Sequence, residues 1–405
     1  MRVAIIGGGA AGFFSAIAVK ENYPQAQVTI FEKLQKPLVK VKLTGGGRCN
    51  LTNAVSTTKD LISAYPRGGK LLKQAFRVFD NHDSMRWFEK RGVPLTTQDD
   101  LCVFPVSQDS QTIIDCLINE AQKLGVEIKT GREITHIDIG DEDFELSFHH
   151  DSYKKEKADK IIVTTGGSPK RKGLSWLEEL HHQIAEPIPS LFTFNMPGES
   201  IKSLMGIVIE NVLVSLQGTK LKAQGPLLIT HWGMSGPAIL KLSSFGARLL
   251  SEKNYEFRIQ VNWVNIQNSN LINEALLHIT EEHPNKILAN YRAFNLPERL
   301  WLFLLEKSEL STQKKWSELG KKGLNKLVNI LSNDIYQVKG KTVFREEFVT
   351  CGGISLQSID NKTLQSKVCK NLYFAGEVLD IDGITGGYNL QAAWTTAFIA
   401  GKLLP

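Results

Sequence analysis

Glycine-rich turns are the residues of this sequence whose type and spacing could support chemistry. The 33 glycines of the 405-residue chain include the clusters Gly7-Gly8-Gly9, Gly45-Gly46-Gly47, Gly352-Gly353 and Gly386-Gly387. Clustered glycine indicates backbone that approaches another group closely or adopts a positive φ. These clusters therefore predict a protein whose backbone contacts a ligand at several points along the chain.

The first cluster belongs to a complete phosphate-binding pattern. Gly7, Gly9 and Gly12 form G-x-G-x-x-G directly after the apolar segment Arg2–Ile6, which predicts a strand. In this pattern the first glycine makes a tight turn, the second lets the backbone approach a pyrophosphate, and the third allows close helix–strand packing. We expect the helix that follows to run to about Asn22 and to direct its free N–H groups at the phosphates.

An acidic residue completes the nucleotide-binding pattern. The second predicted strand, residues 27–31, leads into Glu32, which stands twenty residues after Gly12. A carboxylate at this position accepts hydrogen bonds from an adenosine ribose, and it would repel a 2′-phosphate. The order of strand, turn, helix, strand and acid predicts a Rossmann-type unit, and it leaves open whether the nucleotide is NAD or FAD.

Two later segments favour a flavin over a nicotinamide. Residues 160–167 predict a buried strand that enters a Thr-Gly-Gly turn, and residues 372–380 predict another strand that contains Gly376-Glu377. The last predicted helix begins after Gly386-Gly387, and the partial positive charge of its N-terminus would stabilise an anionic reduced flavin ring. A simple NAD dehydrogenase does not need the far end of the chain to return to its cofactor, so this pattern predicts FAD.

Three motifs give the chain a resemblance to a known family. They are Thr44-Gly45-Gly46-Gly47-Arg48-Cys49-Asn50-Leu51-Thr52-Asn53, then Thr230-His231-Trp232-Gly233-Met234-Ser235-Gly236-Pro237, and finally Gly376-Glu377-Val378-Leu379-Asp380 with Thr385-Gly386-Gly387-Tyr388-Asn389. With these motifs the chain resembles the BaiN/RdsA-type NAD(P)/FAD-dependent oxidoreductases, some of which are described as aminoacetone-oxidase-like flavoproteins. Leu38 and Val39 depart from the small and basic residues of the family pattern. This departure argues against a phosphate or substrate contact at these two residues and does not affect the expected cofactor.

The resemblance implies FAD that is held tightly and without a covalent bond. It implies that the pyrophosphate contacts Gly7, Gly9, Ala10, Ala11 and Gly12, and that the adenosine contacts Glu32 and Lys33. Near the ribityl chain or the ring it places Gly47, Arg48 and Asn50, and on the adenosine side Thr165, Gly166 and Gly167. The backbone of Ile134, at the end of a hairpin region that we predict over residues 126–137, would also contact the adenosine. The ribityl chain and pyrimidine would be held by Gly376, Glu377, Gly387, Tyr388 and Asn389.

The stretch between the Thr-Gly-Gly turn and the last strand differs in its hydrophobic period. Residues 191–267 are β-rich with interrupting glycines, whereas residues 268–342 follow a helical period. We therefore predict an α/β fold with a discontinuous Rossmann-like FAD-binding domain at 1–190 and 343–405. The inserted cap would consist of a β-barrel-like subdomain followed by a helical subdomain.

Composition and charge limit the possible binding partners and the cellular compartment. The five cysteines contain no C-x-x-C pair, so we predict no metal site and expect a reducing, cytoplasmic compartment. The formal net charge of +6 is small for this length and does not by itself indicate a nucleic-acid partner. Because no uncharged apolar segment without glycine approaches the length of a membrane span, we expect no membrane partner. The predicted partner is a small-molecule substrate.

The sequence leaves two interpretations for each candidate catalytic residue. Cys49 is either a reactive thiol without a resolving cysteine or a buried structural residue. His231 is either a proton donor or a structural histidine, and Tyr388 is either an acid or a wall of the cofactor site.

The predicted function is that of an FAD-dependent oxidoreductase acting on a small organic substrate. The flavin would be reduced by NAD(P)H or by the substrate, and O₂ or another acceptor would reoxidise it in the second case. Because the chain has a single dinucleotide fingerprint, NAD(P)H would bind only transiently. The alternatives are a flavoprotein that modifies tRNA and a non-enzymatic flavin-binding redox sensor.

Overall fold

The structure is a computed structural model that describes residues 1–149, 153–342 and 349–404. The chain divides into two compact units. Unit 1 comprises Met1–Ser190 with Arg345–Pro405, and unit 2 comprises Leu191–Phe344. Each unit encloses a hydrophobic core of its own.

Unit 1 is built on a five-stranded parallel sheet. In sheet order its strands are β20 (Leu372–Phe374), β10 (Lys160–Val163), β1 (Arg2–Ile6), β2 (Gln27–Glu32) and β6 (Glu127–Thr130). Its central strands are almost continuous apolar segments, and they are buried as expected for a parallel sheet covered by helices. The parallel, Rossmann-like α/β fold predicted from the sequence is confirmed.

Eight helices of unit 1 lie within the described ranges. They are α1 (Ala10–Asn22), α2 (Val39–Leu43), α3 (Thr58–Ser63), α4 (Gly69–Ala75), α5 (Asn81–Glu89), α6 (Gln111–Lys123), α7 (Ser175–Glu179) and α12 (Tyr388–Ala400). The first and last of these helices pack on each other, with the ring centroids of Phe14 and Trp394 5.4 Å apart. This contact brings the two ends of the sequence together in one core.

Smaller groups of strands complete unit 1. One antiparallel sheet has the order β3 (Thr52–Asn53), β5 (Cys102–Pro105) and β4 (Leu95–Thr97), and another has the order β7 (Ile134–Ile139), β8 (Phe144–Phe148) and β9 (Glu156–Ala158). An antiparallel pair is formed by β11 (Ile184–Pro189) and β19 (Thr350–Ile354).

The glycine pair of β19 allows close contact between backbones. Gly352 and Gly353 have φ values of +97° and +127°. A Cβ added to Gly352 would lie 2.3 Å from Glu186 O, and one added to Gly353 would lie 2.4 Å from Val378 O. Only glycine therefore lets β19 fit between these two segments.

Two segments differ from the sequence-based expectation. The strand predicted over residues 372–380 ends at Phe374, because Gly376 turns at φ +78° into the short 3₁₀ helix Gly376–Val378. The region predicted as a hairpin around residues 126–137 instead contributes β6 to the parallel sheet and β7 to a separate antiparallel sheet. The chain turns between these strands at Gly131, whose φ is +67°.

Unit 2 combines a seven-stranded sheet with helices. In sheet order the strands are β17 (Asp334–Lys339), β16 (Glu256–Asn262), β13 (Val208–Leu216), β14 (Lys222–Ile229), β15 (Gly233–Ser235), β12 (Thr193–Asn195) and β18 (Lys341–Thr342). The first and last strands in this order, β17 and β18, are neighbours in the chain with only Gly340 between them. The Gly340 carbonyl accepts a hydrogen bond from the Asn195 N–H at 3.1 Å. The two edge strands of the sheet therefore follow each other directly in the chain.

The helices of unit 2 pack with this sheet around one core. In the described ranges they are α8 (Pro237–Glu252), α9 (Ser269–Glu282), α10 (Glu298–Lys307) and α11 (Gly320–Ser332). In chain order the last two strands of the sheet are β17 and β18, and both lie within residues 268–342, the range predicted to be helical. Helices and strands of that range therefore share one core with the preceding β-rich segment.

Candidate cofactor site

The turn between β1 and α1 admits only glycine at two positions. Gly7 has φ +113°, and a Cβ added to it would lie 2.5 Å from the backbone oxygen of Thr164 at the end of β10. A Cβ added to Gly12 would lie 1.9 Å from Gly7 O. The first and third glycines of the pattern therefore serve the tight turn and the close helix–strand packing.

The N-terminus of α1 is open and uncapped. A Cβ added to Gly9, the N-cap residue, would meet no heavy atom within 4 Å. No side chain caps the helix, and its first turn, which begins Ala10-Ala11, contains no acidic residue. The first N–H groups of a helix have no intrahelical partner and carry a partial positive charge, so this end of α1 favours an anion.

Glu32 is buried and already binds the backbone around the turn. Its Oε2 accepts a hydrogen bond from the Gly8 N–H at 2.7 Å, and its Oε1 accepts one from the Leu34 N–H at 2.8 Å. These two bonds fix the carboxylate at the end of β2, and a carboxylate retains further lone pairs for a ligand. The neighbouring Lys33 is exposed.

Ile134 lies in a segment that reaches the same end of β2. The Arg132 N–H donates to the backbone oxygen of Glu32 at 2.8 Å, and Ile134 begins β7 two residues later. The Ile134 side chain is buried, in register with Phe148 of β8.

The Thr-Gly-Gly-Gly-Arg motif forms a left-handed turn after α2. Gly45, Gly46 and Gly47 have φ values of +58°, +67° and +86°, and a Cβ added to Gly46 would meet no heavy atom within 4 Å. Arg48 is exposed, and its guanidinium group lies over the Phe104 ring at 4.4 Å and donates from Nε to Gly45 O at 3.3 Å. The motif therefore presents open backbone beside an ordered cation.

The end of this motif interlocks with the N-terminus of α12. In the amide orientation that satisfies both partners, the Asn50 side chain donates to Thr52 O at 3.0 Å and accepts from the Gly387 N–H at 3.3 Å. A Cβ added to Gly387 would lie 2.4 Å from Thr52 O. Asn53 donates from Nδ2 to Gly386 O at 3.3 Å.

Helix α12 is also uncapped. Gly387 is its N-cap residue at φ +87°, no side chain caps it, and its first turn has no acidic residue. The Asn389 side chain bonds to both backbone groups of Gly383, at 2.8 Å and 2.9 Å, and so orders the loop before the helix.

Gly376 and Glu377 connect the remaining predicted segments. A Cβ added to Gly376 would lie 2.9 Å from the Cβ of Ala11, and the Gly376 N–H donates to Thr396 Oγ1 of α12 at 2.9 Å. A Cβ added to Gly167 would lie 2.7 Å from Glu377 Oε1. Gly166, at φ +74°, and the exposed Thr165 precede this contact. The structure therefore brings the predicted glycine segments of unit 1 together around the N-termini of α1 and α12.

The three candidate catalytic residues differ in their surroundings. Cys49 is fully buried, and burial raises the pKa of its thiol to about 12. Burial likewise raises the pKa of Tyr388 to about 12, while its backbone oxygen accepts a hydrogen bond from the Tyr65 hydroxyl at 2.7 Å. His231 belongs to unit 2, between β14 and β15, where its exposed ring packs edge-on against Trp232 at 4.4 Å. A thiol with a raised pKa is a poor nucleophile, which favours the structural interpretation of Cys49, whereas the protonated phenol of Tyr388 is compatible with both of its interpretations.

Sequence reasoning missed a buried ion pair in unit 1. Arg67 donates through Nε and Nη2 to both carboxylate oxygens of Asp382, and the Ser190 hydroxyl bonds to the same carboxylate. Asp382 is fully buried, which raises the pKa of its carboxyl, while the bonds to Arg67 act in the opposite direction. Because Arg67 and Asp382 lie 315 residues apart, no local pattern could have identified the pair.

Two buried polar atoms near these segments were also missed. Asn53 Oδ1 and Thr350 Oγ1 have no hydrogen-bond partner among the described residues. The only available signals were that Asn53 ends the Thr44–Asn53 motif and that Thr350 precedes the Gly352-Gly353 pair.

The described ranges contain neither a membrane-spanning helix nor a metal-binding cluster. No helix there is long and apolar enough to cross a membrane. No group of three or more His, Cys, Asp or Glu side chains in the same ranges could hold a metal ion.

Known proteins resemble this chain over nearly its whole length. Residues 1–403 match the family described as HI0933-like protein Rossmann domain. A 3-dehydro-bile acid delta(4,6)-reductase of Clostridium scindens is 25% identical over 409 residues, which cover 99% of this chain and 98% of that protein. A ribosomal RNA dihydrouridine synthase of Escherichia coli is 29% identical over 416 residues, which cover 98% of this chain and 96% of that protein.

A solved structure shares the fold. A 3-ketosteroid-delta4-(5alpha)-dehydrogenase from Rhodococcus jostii is similar with a TM-score of 0.51 at 12% identity, over 99% of this chain and 95% of that one. The family match confirms the resemblance seen in the motifs. The chain belongs to the family of HI0933-like proteins with a Rossmann domain, and it is an FAD-dependent oxidoreductase.

Proposed function

We propose that unit 1 binds FAD without a covalent bond and that the chain reduces a carbon–carbon double bond conjugated to a carbonyl group. The observation that carries this proposal is the pair of uncapped helix N-termini, of α1 and α12, joined through Gly376. One helix end would hold the pyrophosphate and the other the pyrimidine edge of the ring. When bound, FAD supplies hydride transfer.

The residues around α1 fit a dinucleotide. The space beside Gly9 is open, so backbone N–H groups can reach phosphate oxygens without a side chain between them. Glu32, held by Gly8 and Leu34, is fixed where it can accept from a ribose hydroxyl. The remaining predicted contacts, from Lys33, Ile134 and Thr165 to Gly167, extend this adenosine side.

The residues around α12 fit the flavin end. Gly46 leaves open space after α2, and Arg48 supplies a positive charge held against Phe104. Asn53 Oδ1 is a buried acceptor that lacks a partner in the described ranges, and its amide nitrogen already bonds to Gly386 O. A buried acceptor of this kind calls for a donor, which the ring of the cofactor can supply.

The scarcity of histidine and cysteine near the site supports non-covalent binding. The segments 7–12, 44–53, 164–167 and 376–389 contain no histidine, and their one cysteine is Cys49. Because the Cys49 thiol is buried with its pKa raised to about 12, it is a poor nucleophile for a covalent flavin bond.

The relatives support the substrate chemistry. One is named a delta(4,6)-reductase, and the other a dihydrouridine synthase. Both names describe saturation of a carbon–carbon double bond that a neighbouring carbonyl polarises for hydride attack. For this chain we propose the same balance, in which NAD(P)H, a proton and the unsaturated substrate give NAD(P)⁺ and the saturated product. The single dinucleotide fingerprint supports transient binding of NAD(P)H.

A uracil base of ribosomal RNA is the second candidate substrate. It is supported by the Escherichia coli relative and by a basic face of α11 that carries Lys321, Lys322 and Lys326 beside Asn325 and Asn329. Lysines on one helix face can contact phosphates, and such binding weakens steeply with salt.

Anaerobic titration tests the proposal. The purified protein should be yellow with a band near ~450 nm, and NADH or NADPH should bleach it. With O₂ still excluded, a cyclic enone added next should reoxidise the flavin and restore the colour. The carbon–carbon double bond of the enone should become saturated. Failure of both nicotinamides to bleach the flavin would contradict the reductase.

The two substrate candidates separate in the same experiment. If unmodified ribosomal RNA restores the colour and gains dihydrouridine while small enones do not react, the RNA substrate is supported. Replacing Lys321, Lys322 and Lys326 together by alanine should then weaken RNA binding and leave NAD(P)H bleaching unchanged.

A further inference from the structure

An exposed basic surface of unit 1 lies beside the candidate cofactor site, and most of its lysines have no role in the proposed function. Residues 33–48 contain five basic residues and no acidic one, and residues 164–177 contain three basic residues and no acidic one. All eight of these basic side chains are exposed. A surface that carries one sign of charge attracts ligands of the opposite sign, so this surface favours an anion.

The fold brings the two basic segments together at one carboxylate, although they are distant in sequence. Lys40 Nζ, in the first segment, donates a hydrogen bond to Glu377 Oε2 at 3.3 Å. A Cβ added to Gly167, in the second segment, would lie 2.7 Å from Glu377 Oε1. Lys170 follows Gly167 by only three residues. The lysines of both segments therefore belong to one edge of the candidate site.

Hydrogen bonds to the backbone fix the first segment against the rest of unit 1. The Leu38 N–H donates to Gly8 O, in the turn before α1, at 2.8 Å. Ser110, which precedes α6, donates from its N–H to Gly47 O at 2.8 Å and from its Oγ to Lys42 O at 2.9 Å. The lysines of α2 therefore extend from an ordered backbone, which reduces the entropy lost when a ligand binds.

The basic surface keeps an excess of positive charge when its acidic partners are counted. Within the described ranges, the carboxylates that pair with it are those of Asp109, Glu178, Glu186 and Glu377. Eight basic residues and four acidic partners leave an excess of four positive charges. Lys40 and Lys42 each use one N–H donor of the ammonium group for a carboxylate, so two donors of each remain for a ligand.

The charge of this surface suits NADPH, the more anionic of the two nicotinamide coenzymes. A phosphate monoester such as the 2′-phosphate of NADPH adds a charge of about −1.5 to −2. Glu32, in the single dinucleotide fingerprint, would repel that phosphate, so NADPH needs cations outside the fingerprint. A nucleic acid is typically held at about 6–10 phosphates, which exceeds the four excess charges of this surface.

We infer that the basic rim, defined as Lys36, Lys40, Lys42, Lys170 and Lys172, attracts the 2′-phosphate of NADPH and makes the protein select NADPH over NADH. The inference rests on the proposed function, in which a nicotinamide coenzyme reduces the flavin. It deepens that function by naming the coenzyme and the residues that choose it.

The test replaces Lys36, Lys42, Lys170 and Lys172 together by glutamine and keeps Lys40 with its bond to Glu377. Calorimetry on the FAD-loaded protein gives the Kd for 2′,5′-ADP, which is the phosphorylated half of NADPH, and for 5′-AMP, which lacks the 2′-phosphate. In the unchanged protein 2′,5′-ADP should bind at least about 10-fold more tightly than 5′-AMP, as expected for several exposed charge pairs. In the variant this ratio should fall by about 4- to 30-fold. The KM for NADPH in flavin bleaching should rise by a similar factor.

The lysines of α11 supply the matched control, because they are surface lysines of unit 2. Replacing Lys321, Lys322 and Lys326 by glutamine should leave the ratio unchanged. A ratio near one in the unchanged protein, an unchanged ratio in the rim variant, or an equal fall in the control would each show that the inference is wrong. It is also wrong if the rim variant weakens binding of ribosomal RNA but not of 2′,5′-ADP. If neither coenzyme bleaches the flavin, the proposed reductase fails, and the calorimetric ratio still decides the inference separately.

Discussion

The substitution Gly9→Ala should separate cofactor binding from folding. Gly9 has φ −93° and ψ −167°, which alanine adopts without strain. Its new Cβ would meet no heavy atom of the described residues within 4 Å. The fold should therefore lose only the preference for glycine over alanine at an N-cap, about 0.5–1 kcal/mol.

The same methyl group should strongly weaken FAD binding. It would project into the open space at the N-terminus of α1, where we propose that the pyrophosphate lies. A charge-assisted hydrogen bond lost to the displaced phosphate is worth about 1.5–3 kcal/mol. We therefore expect the Kd for FAD to rise about 10- to 100-fold.

Two further glycine substitutions make this prediction specific. Gly12→Ala should prevent stable folding, because its Cβ would lie 1.9 Å from Gly7 O. Gly198→Ala is the control, since Gly198 is equally open but lies outside the proposed site. FAD titration and thermal melting of the three variants measure both effects. If Gly9→Ala binds FAD as tightly as Gly198→Ala does, the placement of the pyrophosphate is refuted.

Three other perturbations test the site and its support. Glu32→Gln should lower the free energy of unfolding by about 1–3 kcal/mol and weaken FAD retention, because one carbonyl oxygen replaces the two carboxylate oxygens that bind Gly8 and Leu34; urea unfolding and FAD titration measure this. Arg67→Met should cost about 3–5 kcal/mol in urea unfolding because it leaves the Asp382 carboxylate buried without its cation, and adding Asp382→Leu should recover part of that loss. Burial raises the pKa of the Cys49 thiol from 9.0 to about 12, so the protonated thiol stabilises the folded state fully below pH 9. As the pH rises from 9 toward 12, this contribution is lost at about 1.4 kcal/mol per pH unit. The free energy of unfolding of Cys49→Ala, measured with urea, should therefore fall less steeply with pH than that of the unchanged protein.

Each of these expectations has a contrary result. Full FAD retention in Glu32→Gln would remove the carboxylate from the ribose contact. A double variant no more stable than Arg67→Met would show that the cost does not come from the unpaired Asp382 charge. Identical pH slopes with and without the Cys49 thiol would contradict its burial.

Local features of the chain were predictable from the sequence. The Gly7 to Gly12 pattern specifies part of its own turn, because Gly7 takes a positive φ and a Cβ on Gly12 would meet Gly7 O within the same turn. Apolar runs such as residues 2–6 and 160–163 predicted buried parallel strands for the same reason: their hydrophobic period is a property of the segment alone. The Rossmann-like sheet and the family motifs followed from such segments.

Contacts between distant segments were decided only by the tertiary structure. Glu32 was predicted as a ribose contact, and the fold shows that its carboxylate also binds two backbone N–H groups. The Gly352-Gly353 pair acquired a role only when β19 was found between two backbones. Three further features likewise depend on residues that are distant in sequence: the burial of Cys49, the Arg67–Asp382 ion pair and the unpaired Thr350 hydroxyl. A local pattern encodes backbone angles and hydrophobic period, whereas the pairing and desolvation of polar groups are set by whichever distant segments the folded core brings against them.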